Sequence, residues 1–375
     1  MKHQNKEVSM QKLKILVSGG GTGGHIFPAI AIANAIKEKH HDAEFLFVGA
    51  EGKMEMEKVP AEGFDIEGLW ISGFSRSLSV SNLVFPFKLI SSMWKAAKIV
   101  KRFQPDVAIG TGGFASGPTL RVASQKGVPC LIQEQNSFPG VTNRILSGKA
   151  KKICVAYDGM EKYFGAEKTI LTGNPVRKEV VKIEGKRDEA IQFFGLDANK
   201  RTLLIVGGSL GAQSVNNAIL ANIAALLELG IQIVWQTGKT NYKEISAATQ
   251  SFVGKGVHVK EFIFKMDLGY AAADIVVSRA GAIAVSELSI VAKPTILVPF
   301  PYAAEDHQTK NAMSLVEKGA AVLVKDADVQ TGLLQQITKM VNDPVIGDSL
   351  TKNIKELGKP NAANQIADEV LSLIK

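Results

Sequence analysis

Short apolar runs alternate with helical stretches along almost the whole chain, and this alternation constrains the fold more than any other feature. The runs lie at residues 14–18 (KILVS), 44–49 (EFLFVG), 106–110 (DVAIG), 130–134 (CLIQE), 152–156 (KICVA) and 169–173 (TILTG). A second series lies at 202–208 (TLLIVGG), 231–238 (IQIVWQTG), 257–262 (VHVKEF), 274–279 (DIVVSR), 295–300 (TILVPF) and 320–325 (AAVLVK). These runs are near-continuously apolar, the pattern of parallel strands covered on both faces. Parallel neighbours joined by helical crossovers imply right-handed βαβ units, so the expected class is α/β with doubly wound sheets. The series open alike, with LKILVSGGGTGG and RTLLIVGGSLGA, and 375 residues exceed one typical domain. Two similar domains are expected, over residues 11–173 and 174–357, with GNPVR at 173–177 as the hinge. After Gly358 and Pro360 the chain resumes as an amphipathic helix.

Glycine-rich turns follow three of these strands: GGGTGGH (19–25), GTGGFASGP (110–118) and GGSLGAQ (207–213). Glycine lets a backbone approach a ligand closely, and the following helix offers unpaired N–H groups and a positive dipole end, a combination suited to phosphate. Gly19, Gly21 and Gly24 fit G-x-G-x-x-G, a weak signal alone. Three such turns suggest two phosphorylated ligands, or one long ligand between two domains. A nicotinamide enzyme fits less well. It would use one loop and an acid about 20 residues on, whereas Glu44 begins the second strand and Glu51 is a poor substitute.

The net charge of +8 suits a polyanionic partner: nucleic acid, an anionic membrane or a phosphorylated substrate. Nucleic acid is disfavoured because no reader module or basic–aromatic strand pattern is present. Cys130 and Cys154 lie inside apolar runs and read as small buried hydrophobes of a reducing compartment. No Cys/His spacing suggests zinc. The apolar run near the N-terminus is too short for a signal peptide core, and no stretch approaches the ~18 apolar residues of a membrane span. A cytoplasmic protein is expected, with any membrane contact peripheral.

Seven segments together resemble one known family. GGGTGGHIFPAIAIA, GTGGFASGP, EQNSFPGVTNRIL, TGNPVR, GGSLGAQ, SRAGAIAVSEL and PFPYAAEDHQTKNA run in that family's order from about residue 14 to about residue 312. They are similar to the MurG family of bacterial peptidoglycan N-acetylglucosaminyltransferases. The resemblance implies the GT-B fold: two Rossmann-like domains facing a cleft, with the last helix (358–375) returning to the first domain. It implies transfer of GlcNAc from UDP-GlcNAc to the MurNAc C4 hydroxyl of undecaprenyl-diphospho-MurNAc-pentapeptide, with inversion, turning lipid I into lipid II in peptidoglycan synthesis. It also implies a peripheral place on the cytoplasmic face of the plasma membrane, beside cell-wall synthesis and division proteins. The resemblance also implies no cofactor and no metal. Another UDP-sugar transferase acting on a lipid, or a non-catalytic nucleotide-sugar-binding scaffold, would share many of these segments.

The resemblance assigns residues. For the donor it points to Ala282, Ile283, Ala284, Val285, Ser286 and Glu287 at a turn and helix start, with Glu287 taking the ribose hydroxyls; a surface helix charge is the alternative. Ser209, Arg177, Gln308, Asn136 and the backbone of Ile263, set against uracil, complete that side, and Arg177 could instead be an exposed hinge residue. Asp306 and His307 carry no transferred role. For the acceptor, backbone amides of Gly21, Thr22, Gly23, Gly112 and Gly113 would cradle the lipid-linked diphosphate, with Thr22, Gly23 and Gly24 also bordering the donor. Phe114 replaces an aromatic that carries a hydroxyl in some relatives. Transfer to an alcohol needs a base, and His25 at the end of the first loop is the candidate; it could instead cap its helix or bind phosphate. Glu134 is a weaker candidate. Residues 83–103 combine Leu83, Phe85, Phe87, Ile90 and Trp94 with Lys88, Lys95 and Lys98, the composition of a helix lying on anionic lipid. The other reading makes Phe87, Ile90, Trp94 and Ala97 an ordinary core stripe.

Overall fold

The computed structural model describes residues 12–73 and 80–374. The expected start of the first domain at residue 11, the basic segment before it and Lys375 lie outside them. The first sheet contains β1 (Lys14–Gly19), β2 (Glu44–Ala50), β3 (Asp65–Leu69), β4 (Val107–Gly112), β5 (Cys130–Glu134), β6 (Lys152–Val155) and β7 (Thr169–Leu171). Its order is β3-β2-β1-β4-β5-β6-β7, with parallel pairings throughout. The second contains β8 (Thr202–Val206), β9 (Gln232–Gln236), β10 (Val257–Lys260), β11 (Ile275–Ser278), β12 (Thr295–Leu297) and β13 (Val322–Leu323), in the order β10-β9-β8-β11-β12-β13 and again parallel. Both are doubly wound Rossmann-like sheets, the GT-B architecture. Each apolar run of the sequence holds a strand. β3 went unread because its residues, DIEGL, have no continuous apolar run; it is an edge strand with one neighbour.

Each sheet is covered on both faces. Ile15 and Val17 pack into one layer of the first domain and Leu16, between them, into the other, all three fully buried. Burying a side chain of this kind contributes roughly 1.5–3 kcal/mol, and the layers hold many of them. The helix Gly23–Lys39 is apolar nearly all round because Ile26, Ile32 and Ile36 are enclosed between sheet and further chain. That chain is the helix Ala362–Leu371, whose Ile366, Ala367 and Val370 join the same core. Lys39–Asp368 and Lys152–Glu369 ion pairs fasten it at the rim. The outgoing and returning crossings touch: a Cβ on Gly173, at φ +86, would lie 2.4 Å from Lys359 Cβ. A cavity of about 290 Å³ opens beside them, lined by Tyr157, Asn174, Ser286 and Lys318.

Cys130 and Cys154 are enclosed in the first domain, and burial pushes each thiol up to about 12. The thiolate is the reactive form. The native protein is therefore expected to give no reaction with an aromatic disulfide reagent at pH 8, and two equivalents after denaturation; one fast native equivalent would contradict this burial.

Candidate functional site

A doubly wound sheet opens at its carboxyl edge where strand order reverses. In the first domain that point lies between β1 and β4, and in the second between β8 and β11. The glycine turns follow three of these four strands, and the turn Arg279–Gly281 follows the fourth. The two edges face each other. Asn174 Nδ2 reaches Gln135 O (2.9 Å) on one side and Ser286 Oγ (3.0 Å) on the other. Ser137 N donates to Asn311 Oδ1 (3.0 Å), and Asn311 Nδ2 to Asn136 Oδ1 (3.2 Å).

The first two turns are folded onto each other. Gly20 N donates to Gly112 O (3.3 Å), and a Cβ on Gly113, at φ +86, would sit 2.1 Å from Gly20 O. The fully buried Glu55 clamps the turn from behind, accepting from Gly21 N and Ala50 N, each at 3.0 Å. The Gly21 amide is thus already taken and leaves the expected diphosphate cradle. Thr22, Gly23 and Gly24 open the helix, where N–H groups lack intrahelical acceptors, and no side chain caps it. Gly112 gives its carbonyl to Gly20, and Gly113 backs onto the same residue. Phe114 lies against Gly21 and Gly73.

His25 stands between these turns. Thr111 Oγ1 donates to its carbonyl (2.8 Å), its ring lies against Gly112, and Nδ1 is 2.9 Å from Gln135 Oε1. Glu134, the weaker candidate, has both carboxylate oxygens engaged. It is buried, Oε1 accepts from Asn136 N (3.0 Å), and Oε2 accepts from Gly140 N (3.1 Å) and Asn143 Nδ2 (2.9 Å). Its carboxylate shapes the loop that carries Asn136.

In the second domain the helix Ala282–Val291 starts after Gly281 with no charged residue or capping side chain in its first turn. Gly281 has φ −64, and a Cβ there would meet nothing within 4 Å, so the chain itself does not demand glycine. Glu287 is buried: Arg177 Nε donates to Oε1 (3.0 Å), while Arg177 Nη2 and Tyr270 Oη each donate to Oε2 at 3.1 Å. Burial pushes this carboxyl up, and Arg177 and Tyr270 offset that in part. The surface-charge reading of Glu287 is excluded. Arg177 crosses the hinge to it with its side chain 43% exposed. Ser209 is exposed at the third turn. Ile263 is buried and its N–H already serves Gln236 Oε1 (2.9 Å), so only its carbonyl is left for a base edge. Gln308 Oε1 accepts from Phe300 N (3.0 Å), which leaves its NH2 group to offer.

His307 lies in the cleft, close enough to His25 and Glu134 for their charges to act on it. Burial lowers its pKa, so the ring is neutral at neutral pH, and Nδ1 has no hydrogen-bond partner among the described residues. The two residues before it, Glu305 (φ 53) and Asp306 (φ 54), occupy the left-handed region, which costs non-glycine residues about 1–2 kcal/mol each. Sequence reading gives His307 no role and singles out neither Glu55, Asn311 nor Gln135. The signal for Gln135 was present: CLIQEQN ends an apolar strand with polar side chains that have no reason to be buried unless they bond one another.

On the outer face of the first domain the helix Val80–Phe103 exposes Leu83 (74%), Phe87 (68%), Ile90 (69%) and Trp94 (62%) along one stripe. These four are not core. Phe85 instead turns towards the interior. Lys98 Nζ stacks 3.3 Å from the Trp94 ring centroid, Lys88 bonds Ser72 Oγ (3.0 Å), and Lys95 pairs with Glu51 (2.9 Å). No helix among the described residues is long and apolar enough to cross a membrane.

Residues 15–155 match the glycosyltransferase family 28 N-terminal domain, and residues 202–366 the glycosyltransferase family 28 C-terminal domain. A Flavobacterium psychrophilum protein named UDP-N-acetylglucosamine–N-acetylmuramyl-(pentapeptide) pyrophosphoryl-undecaprenol N-acetylglucosamine transferase is 52% identical over 367 residues, covering 98% of this chain and 99% of that one. A protein of the same name from Parabacteroides distasonis is 49% identical over 365 residues, covering 97% and 99%. The crystal structure of MurG from Acinetobacter baumannii aligns at 26% identity with a TM-score of 0.77, over 96% of this chain and 100% of that one. UDP-GlcNAc 2-epimerase from Neisseria meningitidis, solved with UDP-GlcNAc, shares the fold at 16% identity and a TM-score of 0.67, over 96% and 100%.

The two glycines described above should respond differently to alanine. Gly113→Ala meets the Gly20 backbone and should lower the unfolding free energy by about 1–3 kcal/mol in a denaturant melt. Gly281→Ala should leave the melt unchanged and weaken binding of a uridine diphosphate sugar at least about fivefold by calorimetry; unchanged affinity would mean that no ligand approaches that turn.

Proposed function

The chain belongs to glycosyltransferase family 28 and, within it, to the MurG N-acetylglucosaminyltransferases, and from that premise we propose how its residues carry out the transfer. The enzyme moves GlcNAc from UDP-GlcNAc to lipid I and forms lipid II. The observation that carries the residue assignment is the placement of His25 between the two glycine turns of the first domain, across the cleft from the uncapped helix Ala282–Val291 and Glu287.

The donor lies on the second domain. Its diphosphate meets the N–H groups of Ala282, Ile283 and Ala284, where the helix dipole favours negative charge. Its ribose hydroxyls donate to Glu287, which requires Arg177 to give up part of its bidentate contact and turn its half-exposed guanidinium towards the phosphates. Uracil is read by the Ile263 carbonyl, Ser209 borders the phosphates, and the Gln308 NH2 group and Asn136 face the transferred sugar. The acceptor diphosphate lies on the amides of Thr22, Gly23 and Gly24.

His25 takes the proton from the MurNAc C4 hydroxyl as that oxygen bonds to the anomeric carbon. The bond from this carbon to the UDP oxygen breaks on the opposite face, so configuration inverts. The charge developing on UDP is met by the helix terminus and Arg177, electrostatics that act without reorganisation, and this reading assigns no step to a divalent ion. Leu83, Phe87, Ile90 and Trp94 enter the interface of an anionic, cytoplasmic-side leaflet, with Lys88, Lys95 and Lys98 at headgroup level, and this brings the cleft to its lipid-linked acceptor.

His25→Ala should lower kcat by about 100-fold or more, the usual worth of a general base, with little change in the KM for UDP-GlcNAc. Glu287→Ala should raise donor Kd at least about tenfold and leave the acceptor KM near wild type; both are read with radiolabelled UDP-GlcNAc and a soluble lipid I analogue. Full turnover by His25→Ala would remove it as the base. The triple change Phe87→Ser, Ile90→Ser and Trp94→Ser should abolish sedimentation with anionic vesicles while sparing turnover of the soluble acceptor; sedimentation equal to wild type would contradict the membrane face.

A further inference from the structure

We propose that Gln135, held in turn by Gln133 and Asn174, fixes which nitrogen of His25 carries the resting proton and thereby leaves Nε2 as the basic atom; this rests on the reading of His25 as the base. All three amides are buried, with Gln135 and Asn174 each 1% exposed and Gln133 fully enclosed. The end of the Gln135 side chain turned away from His25 faces three acceptors: Thr111 O (2.8 Å), Gln133 O (3.0 Å) and Gln133 Oε1. A carbonyl oxygen there would oppose three other oxygens, so this end is the NH2 group. Oε1 therefore points at His25 Nδ1, 2.9 Å away. Oxygen in an amide only accepts, so Nδ1 is the N–H of the neutral ring, and the lone pair lies on Nε2.

The orientation of Gln135 is itself secured. Gln133 Nε2 donates to Asn174 Oδ1 (2.8 Å), and Asn174 Nδ2 donates to Ser286 Oγ (3.0 Å). Ser286 Oγ donates to Ala282 O (3.1 Å), at the start of the helix facing the donor. Every donor in this chain points away from His25. Reversing any single amide would set oxygen against oxygen at one end, and a buried mismatch costs about 1–3 kcal/mol. The row thus runs head to tail from the imidazole, across the hinge, to the second domain. When Nε2 receives the substrate proton, Nδ1–H keeps its bond to Gln135 Oε1, so no partner is lost as the ring becomes charged. Gln135 is a positioning residue, acting through His25. Among charged and titratable groups, His307 lies across the cleft within electrostatic reach of His25, Glu134 ends β5 next to Gln135, and Glu55 holds the first glycine turn from behind.

The test is nitrogen NMR of the full-length enzyme labelled in histidine, with His25 assigned from the spectrum of His25→Gln, combined with steady-state kinetics. The wild-type neutral ring should show Nδ1–H and bare Nε2, a result that needs no variant at position 135. Gln135→Leu should shift the ring towards Nε2–H and cut kcat about 10- to 100-fold, with donor KM within about twofold. Gln135→Glu must keep a proton on the oxygen that faces Thr111 O and Gln133, so its other oxygen still accepts from Nδ1–H; it should hold the Nδ1–H form and recover most of the rate that Gln135→Leu loses. A merely structural role would not shift the ring tautomer in Gln135→Leu. Wild-type His25 protonated at Nε2, or a Gln135→Leu enzyme that keeps the Nδ1–H form and the wild-type kcat, would overturn the assignment. Full activity of His25→Ala with the Nδ1–H form intact would instead remove the base role and leave the tautomer assignment standing.

Discussion

Backbone N–H groups without strand or helix partners gather where a doubly wound parallel sheet reverses its order, and in this chain two such places are turned towards one another. The proposed ligand binding rests on that single arrangement. At the first place, Gly113 lets the turn after β4 lie on the turn after β1, because any side chain there would strike the Gly20 carbonyl. At the second, the helix Ala282–Val291 begins with small and apolar residues that leave its N-terminus open. Both present positive backbone ends to the cleft, an arrangement suited to anionic groups without a dense cluster of cationic side chains.

The cleft is also lined with buried polar side chains, and each is controlled in its own way. Glu55 gives its oxygens to two backbone amides, and Glu134 bonds the loop that carries Asn136. Glu287 is different. Its principal partner, Arg177, comes from the domain crossing and keeps access to solvent, so this bond can be exchanged where the others cannot. A buried carboxylate left without a partner is costly, so in the proposed donor complex the release of Arg177 is tied to the arrival of ribose hydroxyls. The amide row from His25 to Ser286 spans the same junction, so the orientation of the His25 ring and the start of the helix Ala282–Val291 are parts of one hydrogen-bonded unit.

Much of the fold was legible because parallel strands covered on both faces must be continuously apolar, and runs such as KILVS and TLLIV are unambiguous in that respect. β3 was not, since an edge strand with Asp65, Glu67 and Gly68 needs only one apolar face and one neighbour. The glycine turns and the helix start at Ala282 were legible for a similar local reason. The partners of side chains were not. That Gly21 N belongs to Glu55, that Ile263 N belongs to Gln236, and that Glu134 is enclosed by its own loop all depend on packing between segments distant or folded back in the chain. The stripe of Leu83, Phe87, Ile90 and Trp94 has helical spacing that suits a core or a surface equally, and only the packing of the opposite side, through Ala96, Ile99 and Val100, shows which way it faces.

The most direct test of this account is a crystal structure of the enzyme with UDP-GlcNAc and a non-transferable lipid I analogue. The account predicts the ribose diol on Glu287 with Arg177 turned towards the diphosphate, the diphosphate at the start of the helix Ala282–Val291, and the acceptor hydroxyl within hydrogen-bond reach of His25 Nε2. An acceptor hydroxyl remote from His25, or a diphosphate bound away from both glycine-bounded helix ends, would contradict it.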